Sequence, residues 1–564
     1  MRVKLSKITL SVLLTVLLIC VAAAGALAQQ RTAAAASAVN ENALRAHIKF
    51  LSDDLLEGRG PGARGGELAA KYIAAQFEAL GLKGAGERGS FFQPVSLFGV
   101  KTNPDTTLTI LPRGSSDQEN FNFATDFVAF TGAQTAKVDV DAELVFVGYG
   151  IDAPEQRWND YKGDAADYRN KILVMLVNDP PATADESNLF GGRALTYYGR
   201  WTYKYEEAAR RGAAGVILLH TDESAGYPWS VVRTSNGSWR FDLARESGSR
   251  TPFLKMRSWM TDAAARRMLR LANQDLDALR RQAASRDFRP VNLNLRAVIS
   301  LNSETKRVES SNVAAVLRGR DPRLRDEYVI YSAHWDHLGI GEPNAKGDRI
   351  YNGAVDNASG IASVIEIARI MTELPAAQRP RRSIMFFFPT AEEQGLLGAE
   401  WYAQHPLVPL SKTAANVNLD SMNMLGLTRD FVPLGAERSS LQAIVEAVAR
   451  ERRMTTSPDP RPEQGSFYRS DHFPFAKVGV PSISLKEGKD FVGRSKGWGE
   501  EKFRAYNTAH YHQPSDEYRD DWDLRGMAQE AEIALAIGRR IADATEMPRF
   551  NPQDEFAAAQ KKRK

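Results

Sequence analysis

Residues 383–393 read SIMFFFPTAEE. The apolar run 384–388 is typical of a strand that is buried on both faces of a parallel sheet. Two glutamates, Glu392 and Glu393, follow it closely. Such a pair more often begins a solvated helix. At the mouth of a buried strand, however, like charges repel and are costly to desolvate unless a cation is present. The stretch therefore favours a metal site at a strand end.

The chain around this stretch alternates strands, loops and helices in long units. This pattern predicts an α/β fold with a mostly parallel, doubly wound sheet and helices on both faces. The predicted strands are 313–317, 328–333, 383–389, 414–419 and 482–485. The predicted helices are 359–374, 440–453 and 524–544, after two N-terminal helices within 42–80. In open sheets of this kind, ligands bind beyond the carboxyl ends of the strands.

Ligand-type side chains follow three of these strands, and another precedes a helix. They are His334 and Asp336 after the strand 328–333, Glu392 and Glu393 after 383–389, Asp420 after 414–419, and Asp356 in the loop GAVDNASG of 353–360. Each has an ordinary interpretation: a surface pair for His334 and Asp336, and a helix cap or an Asx turn for Asp356. Their shared position at one sheet edge favours a metal centre over these separate interpretations.

Most of the eight histidines lie at or beyond residue 334. The segment HYHQPSD of 510–516 offers a further ligand, and either His510 or His512 could supply it. His472 could be another ligand or could line the pocket. The only cysteine is Cys20, within the N-terminal apolar run, so a metal in the mature chain would use His, Asp and Glu. Such ligands suit zinc, with cobalt or manganese as substitutes.

A pair of metals that share one carboxylate and one water would suit amide hydrolysis, because they lower the pKa of that water toward neutrality. A carboxylate that binds neither metal could then take the proton of the water and pass it to the leaving amine. Glu392 and Glu393 are adjacent and point in different directions. We therefore expect one of them to be a ligand and the other to be the general base.

The composition is that of a folded globular protein, with 564 residues, 43 % apolar content and a net charge of +4. No basic stripe interleaved with aromatic residues is present, which excludes a nucleic-acid partner. The N-terminus has basic residues up to Lys7, an apolar run over 8–28 and the tripeptide ALA at 26–28. This pattern predicts a signal peptide (1–28), export to the periplasm or medium, and no stable membrane partner after cleavage. An uncleaved anchor is the alternative.

The remaining chain divides into four predicted segments after a linker (29–39). They are the N-terminal part of a peptidase domain (40–130), an α/β insert with its own core (131–295), the catalytic domain (296–546) and a C-terminal tail (547–564). Within the insert, 257–284 is predicted to be helical. The basic end of the tail, residues 561–564, is predicted to be frayed and solvated.

Five segments resemble the zinc aminopeptidase and glutamate carboxypeptidase II (transferrin-receptor-like) metallopeptidase family, and they occur in the order of that family. They are AHWDH (333–337), GAVDNASG (353–360), AEEQGLLG (391–398), NLD (418–420) and YHQPSD (511–516). The resemblance implies two zinc ions per chain and peptide substrates. It implies these roles: His334 and Asp420 as ligands of one zinc, Glu393 and His512 as ligands of the other, Asp356 as the bridge, Glu392 as the general base, Asp336 as the residue that orients His334, and Tyr511 as a donor to the oxyanion.

The insert is similar to a protease-associated domain. The similar stretches are VFVGYGI (145–151), NDY (159–161) and AARRGAAGVIL (208–218). The implied role is to shape or cover the active-site cleft, and a structural appendage is the alternative.

The leading hypothesis is an exported two-zinc exopeptidase, with an aminopeptidase ahead of a carboxypeptidase. One alternative is a glutaminyl cyclase, which would bind a single zinc and cyclise an N-terminal glutamine. Another is a non-catalytic binding protein on the same fold, as the transferrin receptor is. The sequence does not predict the oligomeric state.

Overall fold

The computed structural model describes residues 38–115, 117–237, 239–246 and 248–563. The predicted signal peptide (1–28), Cys20 and most of the predicted linker (29–39) lie outside these residues. Across the described ranges, no helix combines the length and the apolar character that a membrane span requires.

Strands β1 to β9 follow one another without an intervening α-helix, and beyond them strands and helices are interspersed. The strands are β1 (Lys83–Gly84), β2 (Phe92–Thr102), β3 (Thr107–Pro112), β4 (Glu119–Asn122), β5 (Phe127–Phe130), β6 (Lys137–Phe146), β7 (Asp152–Ala153), β8 (Trp158–Asn159), β9 (Ile172–Leu176), β10 (Gly215–His220), β11 (Arg240–Leu243), β12 (Met256–Thr261), β13 (Val291–Leu317), β14 (Tyr328–Ser332), β15 (Gly339–Ile340), β16 (Ile350–Tyr351), β17 (Ser383–Phe388), β18 (Thr413–Leu419), β19 (Asp430–Leu434), β20 (Thr455–Thr456) and β21 (Ser482–Glu487).

The α-helices lie mostly in the connections between these strands. They are α1 (Glu41–Leu51), α2 (Arg64–Ala79), α3 (Trp201–Arg210), α4 (Asp222–Ala225), α5 (Trp229–Gly237), α6 (Asp262–Leu271), α7 (Leu276–Ala283), α8 (Ser359–Glu373), α9 (Leu397–Gln404), α10 (Leu441–Glu451), α11 (His472–Lys477), α12 (Trp498–Ala509), α13 (Arg525–Asp543) and α14 (Ala557–Lys562).

The central sheet has the order β2–β13–β17–β14–β18–β21–β19–β20. Its middle strands β17, β14, β18 and β21 are parallel, whereas β13 is antiparallel to β17 and β19 is antiparallel to β21. Ser332 is level with Phe387 on one neighbouring strand and with Asn418 on the other. The mixed α/β fold with a large, mostly parallel sheet is thus confirmed, and the strands that carry the predicted site residues end at one level.

Both faces of this sheet are covered. Along β17, Phe386 and Phe388 pack into a core with α2, α8 and α13, whereas Met385 and Phe387 face a second core with α9 and α11. Every residue of β17 is buried. The apolar run that opened the sequence analysis is therefore a doubly buried strand, as predicted.

A second sheet has the order β4–β3–β13–β6–β9–β10–β12–β5 and its own hydrophobic core. The long strand β13 contributes its first half to this sheet and its second half to the central sheet. The second sheet begins at β3, earlier than the predicted insert boundary at residue 131. The hairpin of β3 and β4 joins this sheet through β13, and β5 joins it through β12, and the sequence does not reveal these distant pairings.

Two predictions about local structure are wrong. The stretch 257–284 was predicted to be helical throughout, but its first residues form β12, which pairs with β10 and β5. Thr261 then caps α6 by accepting a hydrogen bond from the backbone of Ala264. The basic end of the tail was predicted to be frayed and solvated. Lys561 and Lys562 are indeed exposed, but they lie in α14, and Arg563 donates a hydrogen bond of 2.7 Å to the carbonyl oxygen of Thr413.

Candidate metal centre

The carboxylate of Asp356 stands between two histidines. Its Oδ1 lies 3.2 Å from Nε2 of His334, and its Oδ2 lies 3.3 Å from Nε2 of His512. The histidines come from opposite ends of the C-terminal half of the chain, one directly beyond β14 and the other from the loop after α12. Each carboxylate oxygen therefore faces a different imidazole, which is the arrangement that a bridging ligand requires.

Two further carboxylates complete the two sides of this centre. Oδ1 of Asp420 lies 3.6 Å from Nε2 of His334, and Oε2 of Glu393 lies 2.9 Å from Nε2 of His512. Glu392 approaches the His334 side, where its Oε2 lies 4.0 Å from the same imidazole nitrogen. The structure thus gathers all five predicted ligands and the predicted base around one point.

The loop that carries Asp356 is held from two directions. The backbone N–H groups of Val355 and Asp356 donate to the carboxylate of Asp516, at 3.2 and 3.1 Å. On the other side, Gly360 begins α8 so close to β18 that an added Cβ would lie 2.4 Å from the carbonyl oxygen of Leu419. Only glycine permits this approach, which brings Asp356 and the end of β18 together.

Asp336 acts on the centre through two different atoms. Its carbonyl oxygen lies 3.1 Å from Nδ1 of His334, whereas its carboxylate oxygen is 3.9 Å from that nitrogen. The carboxylate instead accepts a hydrogen bond of 3.0 Å from the backbone N–H of Glu392. A hydrogen bond from Nδ1 would leave Nε2 of His334 free as a ligand. The predicted orienting role thus falls to the backbone of Asp336, and its side chain holds the Glu392 turn.

Three residues at the centre were missed by sequence reasoning. Nδ1 of His337 lies 2.5 Å from Oε1 of Glu393, and Ser470 donates a hydrogen bond of 2.5 Å to Oδ2 of Asp420. His337 belongs to the motif AHWDH and so was within reach of the sequence analysis. Ser470 lies outside the five segments that carry the family resemblance.

Arg59 is the third missed residue. It is fully buried, and its guanidinium donates to the carbonyl oxygens of Trp335, Asn352, Gly353 and Leu51. Trp335 neighbours His334, and Gly353 opens the Asp356 loop, so Arg59 ties together the backbone of two ligand segments. Burial lowers the pKa of Arg59 to about 10, so it stays charged at neutral pH.

The electrostatics separate the adjacent glutamates. Burial, with the neighbouring Glu393 charge, raises the pKa of Glu392 well above its ordinary value, although His334 opposes this shift. Burial is also the largest single influence on Glu393 and raises its pKa, but His512 and His337 together outweigh it and lower the pKa of Glu393 to about 2. A pair of carboxyl groups whose pKa values are driven apart is typical of a division into proton carrier and ligand.

The other predicted or considered residues lie around the centre. Tyr511 stacks on His512 with ring centroids 3.9 Å apart, and burial raises its pKa well above the ordinary value. His510 instead places Nδ1 3.0 Å from the carbonyl oxygen of Ser515. His472 is buried with its ring 4.9 Å from that of Phe467, and burial lowers its pKa to about 3. Of the two histidines left open in the segment 510–516, His512 is therefore the one at the centre.

The centre opens into a cleft of about 870 Å³ between the central sheet and the second sheet. The cleft is lined by Asp356, Glu392, Glu393, Asp420, Tyr511 and His512 on one side and by Trp201, Tyr205, Tyr227 and Trp259 on the other. Imidazole nitrogens and carboxylate oxygens that converge in a buried pocket suit zinc. The side chains present therefore fit a zinc centre.

Comparisons with known proteins agree with this geometry. Residues 312–537 match the family described as Peptidase family M28. Over 114 residues, 20 % of the chain, it is 39 % identical to a probable zinc metalloprotease of Pyrenophora teres f. teres. Over 126 residues, 22 % of the chain, it is 35 % identical to the aminopeptidase NAALADL1 of Mus musculus. The chain spans only 23 % and 15 % of the lengths of these two relatives.

The fold as a whole is similar to that of a solved structure, an aminopeptidase from Aneurinibacillus sp. strain AM-1. The two chains are 20 % identical with a TM-score of 0.52, and the match covers 92 % of this chain and 98 % of the other. At this identity the likeness shows a shared fold. The sequence match is the more specific finding, and it places the similarity to peptidase family M28 in residues 312–537.

Proposed function

We propose that this chain is a zinc-dependent exopeptidase that removes residues from the amino end of peptides, with Glu392 as its general base. The observation that carries the proposal is the carboxylate of Asp356, whose two oxygens face His334 and His512 at 3.2 and 3.3 Å. The match to family M28 and the named relatives, a zinc metalloprotease and an aminopeptidase, support the same reading.

In this proposal two zinc ions bind each chain. His334 and Asp420 would hold one, Glu393 and His512 would hold the other, and Asp356 would bridge them. When bound, the metals supply Lewis acidity that lowers the pKa of a water and stabilises developing negative charge on a peptide carbonyl. Cobalt or manganese would be expected to substitute, because the donor set has only nitrogen and oxygen atoms.

The side chains of the chain supply the proton transfers. Glu392 would take a proton from the attacking water at its carboxylate and give it to the leaving amine. The raised pKa of Glu392 favours the uptake of that proton from the water. Tyr511 keeps its phenolic proton, because burial raises its pKa, and it would donate a hydrogen bond to the oxyanion. Asp336 would keep Glu392 in place through the bond to its backbone N–H.

The insert would act as a protease-associated domain that covers the cleft. This role is supported by residues of the insert that form the far wall of the cleft, among them Trp201 in α3 and Tyr227 between α4 and α5. A purely structural appendage would have no reason to present such side chains toward a metal centre.

A carboxypeptidase is the second candidate, and one observation favours it. Arg200 and Arg469 both line the cleft, and neither makes an ion pair with any residue that the structure describes. Burial lowers the pKa of Arg200 to about 10, and the neighbouring charge of Arg469 adds to this effect. Two half-buried guanidinium groups near the centre could bind the terminal carboxylate of a peptide.

The test of the base is Glu392→Gln. Removing a general base lowers turnover by about 10²–10⁴-fold, and the metal content should stay at two per chain because Glu392 is not a proposed ligand. The matched control is Glu446→Gln on the exposed face of α10, which should leave turnover unchanged. Full activity of the Glu392→Gln enzyme would exclude Glu392 as the base.

Metal analysis and a substrate panel separate the alternatives. Dialysis against a chelator should abolish activity and added zinc should restore it. Two zincs per chain with cleavage of amino acid amides would support the aminopeptidase, and cleavage of N-blocked dipeptides would support the carboxypeptidase. One zinc with cyclisation of N-terminal glutamine would support the cyclase. No bound metal and no turnover would support a binding protein.

Export remains part of the proposal and rests on the N-terminal sequence pattern alone. Cell fractionation followed by N-terminal sequencing of the mature chain tests it. A mature chain that begins directly after Ala28 would support a cleaved signal peptide. A membrane-bound chain that retains residues 1–28 would support the uncleaved anchor.

A further inference from the structure

The turn that carries Glu392 and Glu393 has an unfavourable backbone. Ala391, directly before it, has a φ of 55°, and Leu396, directly after it, has a φ of 63°. Residues with a Cβ are strained in this left-handed region and persist there only where their surroundings hold them. The conformation of this turn therefore depends on neighbours outside the turn itself.

One of these neighbours comes from the far side of the cleft. The strand β11 lies in the sequence of the insert, between α5 and β12, but it pairs with β2 at the edge of the central sheet. Phe241 of β11 is opposite Gly99 of β2. An added Cβ on Gly99 would lie 2.7 Å from the Phe241 ring. The ring is therefore fixed on the central sheet, although the chain on both sides of it belongs to the second sheet.

Phe241 contacts the turn in two ways. Its backbone N–H donates a hydrogen bond of 3.2 Å to Oε1 of Gln394, the residue that follows Glu393. Its side chain packs in one apolar cluster with Ala391 and Leu397, which flank the turn on its two sides. A polar contact and an apolar contact from one residue thus hold the middle and both ends of the turn.

A second residue of the insert reaches the same turn. An added Cβ on Gly395 would lie 3.9 Å from Cη2 of Trp201, at the start of α3. Gln394 itself is 9 % exposed, so little water reaches its amide. The amide therefore cannot readily replace its hydrogen bond to Phe241 with one to water. The insert therefore meets the Glu392–Glu393 turn at Gln394 and at Gly395.

We propose that Gln394 is a positioning residue through which the insert strand β11 holds the Glu392–Glu393 turn in its active geometry. This inference rests on the proposed function for its catalytic consequence, because Glu392 is the proposed base and Glu393 a proposed ligand. It gives the insert a role beyond covering the cleft: the insert completes the backbone support of the site.

The test compares Gln394→Met, which keeps the volume but removes the acceptor, with Gln394→Glu, which keeps an oxygen that accepts from Phe241. A small misplacement of a catalytic group can cost about 10²-fold in rate. We expect kcat of Gln394→Met to fall at least about tenfold, with KM within about twofold and an unchanged number of bound zinc ions. Gln394→Glu should recover a clear part of kcat. Gln404→Met, at the exposed end of α9, is the matched control and should behave as the parent enzyme.

A second measurement does not depend on activity. Hydrogen–deuterium exchange should show both segments 239–243 and 390–397 exchanging faster in Gln394→Met than in the parent. If Gln394→Met does not fold, Gln394→Leu, which also lacks the acceptor, should give the same pattern. If exchange is faster in Gln394→Met but the Glu392→Gln enzyme is fully active, the contact between β11 and the turn is supported and the proposed function is contradicted. Unchanged exchange in both segments, or an unchanged kcat in folded Gln394→Met, would overturn the positioning role.

Discussion

Glu530 offers a pH-dependent test of the fold behind the centre. It lies on α13, and its Oε2 accepts a hydrogen bond of 2.8 Å from the backbone N–H of Asn423, in the segment that follows Asp420. Its other oxygen, Oε1, is buried without a hydrogen-bond partner. Burial, with the nearby charge of Glu487, raises the pKa of Glu530 from its ordinary value of 4.5 to about 8.

The sign of the effect follows from proton binding. Between pH 4.5 and about 8 the folded protein holds a proton on Glu530 that the unfolded chain has lost. The free energy of unfolding therefore falls as pH rises through this window and becomes level above it. At about 1.4 kcal/mol per pKa unit, the difference between the two pKa values lowers the free energy of unfolding by about 5 kcal/mol once Glu530 is fully ionised. Because the side chain is 3 % exposed, solvent screens little of this cost.

The substitution Glu530→Gln removes the ionisation but keeps an oxygen that can accept from Asn423. We expect the unfolding free energy of the variant to rise relative to that of the parent as pH rises from about 5 to 8, and the difference to stay constant at higher pH. Chemical denaturation at several pH values measures the difference, with Glu546→Gln at an exposed position as the control. Parallel curves for parent and variant across the whole window would refute the reasoning.

Substitutions at three further residues test the support of the centre. Arg59→Met leaves the buried carbonyl oxygens of Leu51, Trp335 and Asn352 without their side-chain donor, so the unfolding free energy should fall by at least about 3 kcal/mol; a loss below about 1 kcal/mol would contradict the role of Arg59. His337→Phe removes the bond to Glu393 and should weaken zinc binding by about 10–100-fold in chelator competition. Ser470→Ala should weaken zinc binding by a similar factor through Asp420, whereas Ser470→Thr should restore it. Unchanged zinc affinity in His337→Phe would contradict the role of His337 in supporting Glu393, and unchanged affinity in Ser470→Ala would contradict the role of Ser470 in supporting Asp420.

The middle strands of the central sheet could be predicted because each is indicated by a short, continuous stretch of sequence. The run 384–388 is apolar without interruption, which only a doubly buried strand explains well. His334, Glu392 and Asp420 each follow such a strand directly, so the general rule about strand ends was enough to bring them together. Asp356 and His512 needed the family resemblance, because each lies in a loop.

The missed residues act through contacts that the sequence does not encode locally. Arg59 reaches the carbonyl oxygen of Trp335 across 276 positions of the chain. Phe241 reaches Gln394 across 153 positions. Partners this distant are chosen by the packing of the two sheets, and no periodicity within a short window reveals them.

The strand β13 also limits how the molecule can open. It runs from Val291 to Leu317 and pairs with β2 along residues 303–313, so a two-stranded ribbon leads from one sheet into the other. Bending such a ribbon strains the hydrogen bonds of both strands, unlike rotation about a loose linker. The second sheet is thus braced rather than hinged against the central sheet at this crossing. A proposed peptide substrate would then have to fit the cleft of about 870 Å³ without help from a rotation of one sheet away from the other.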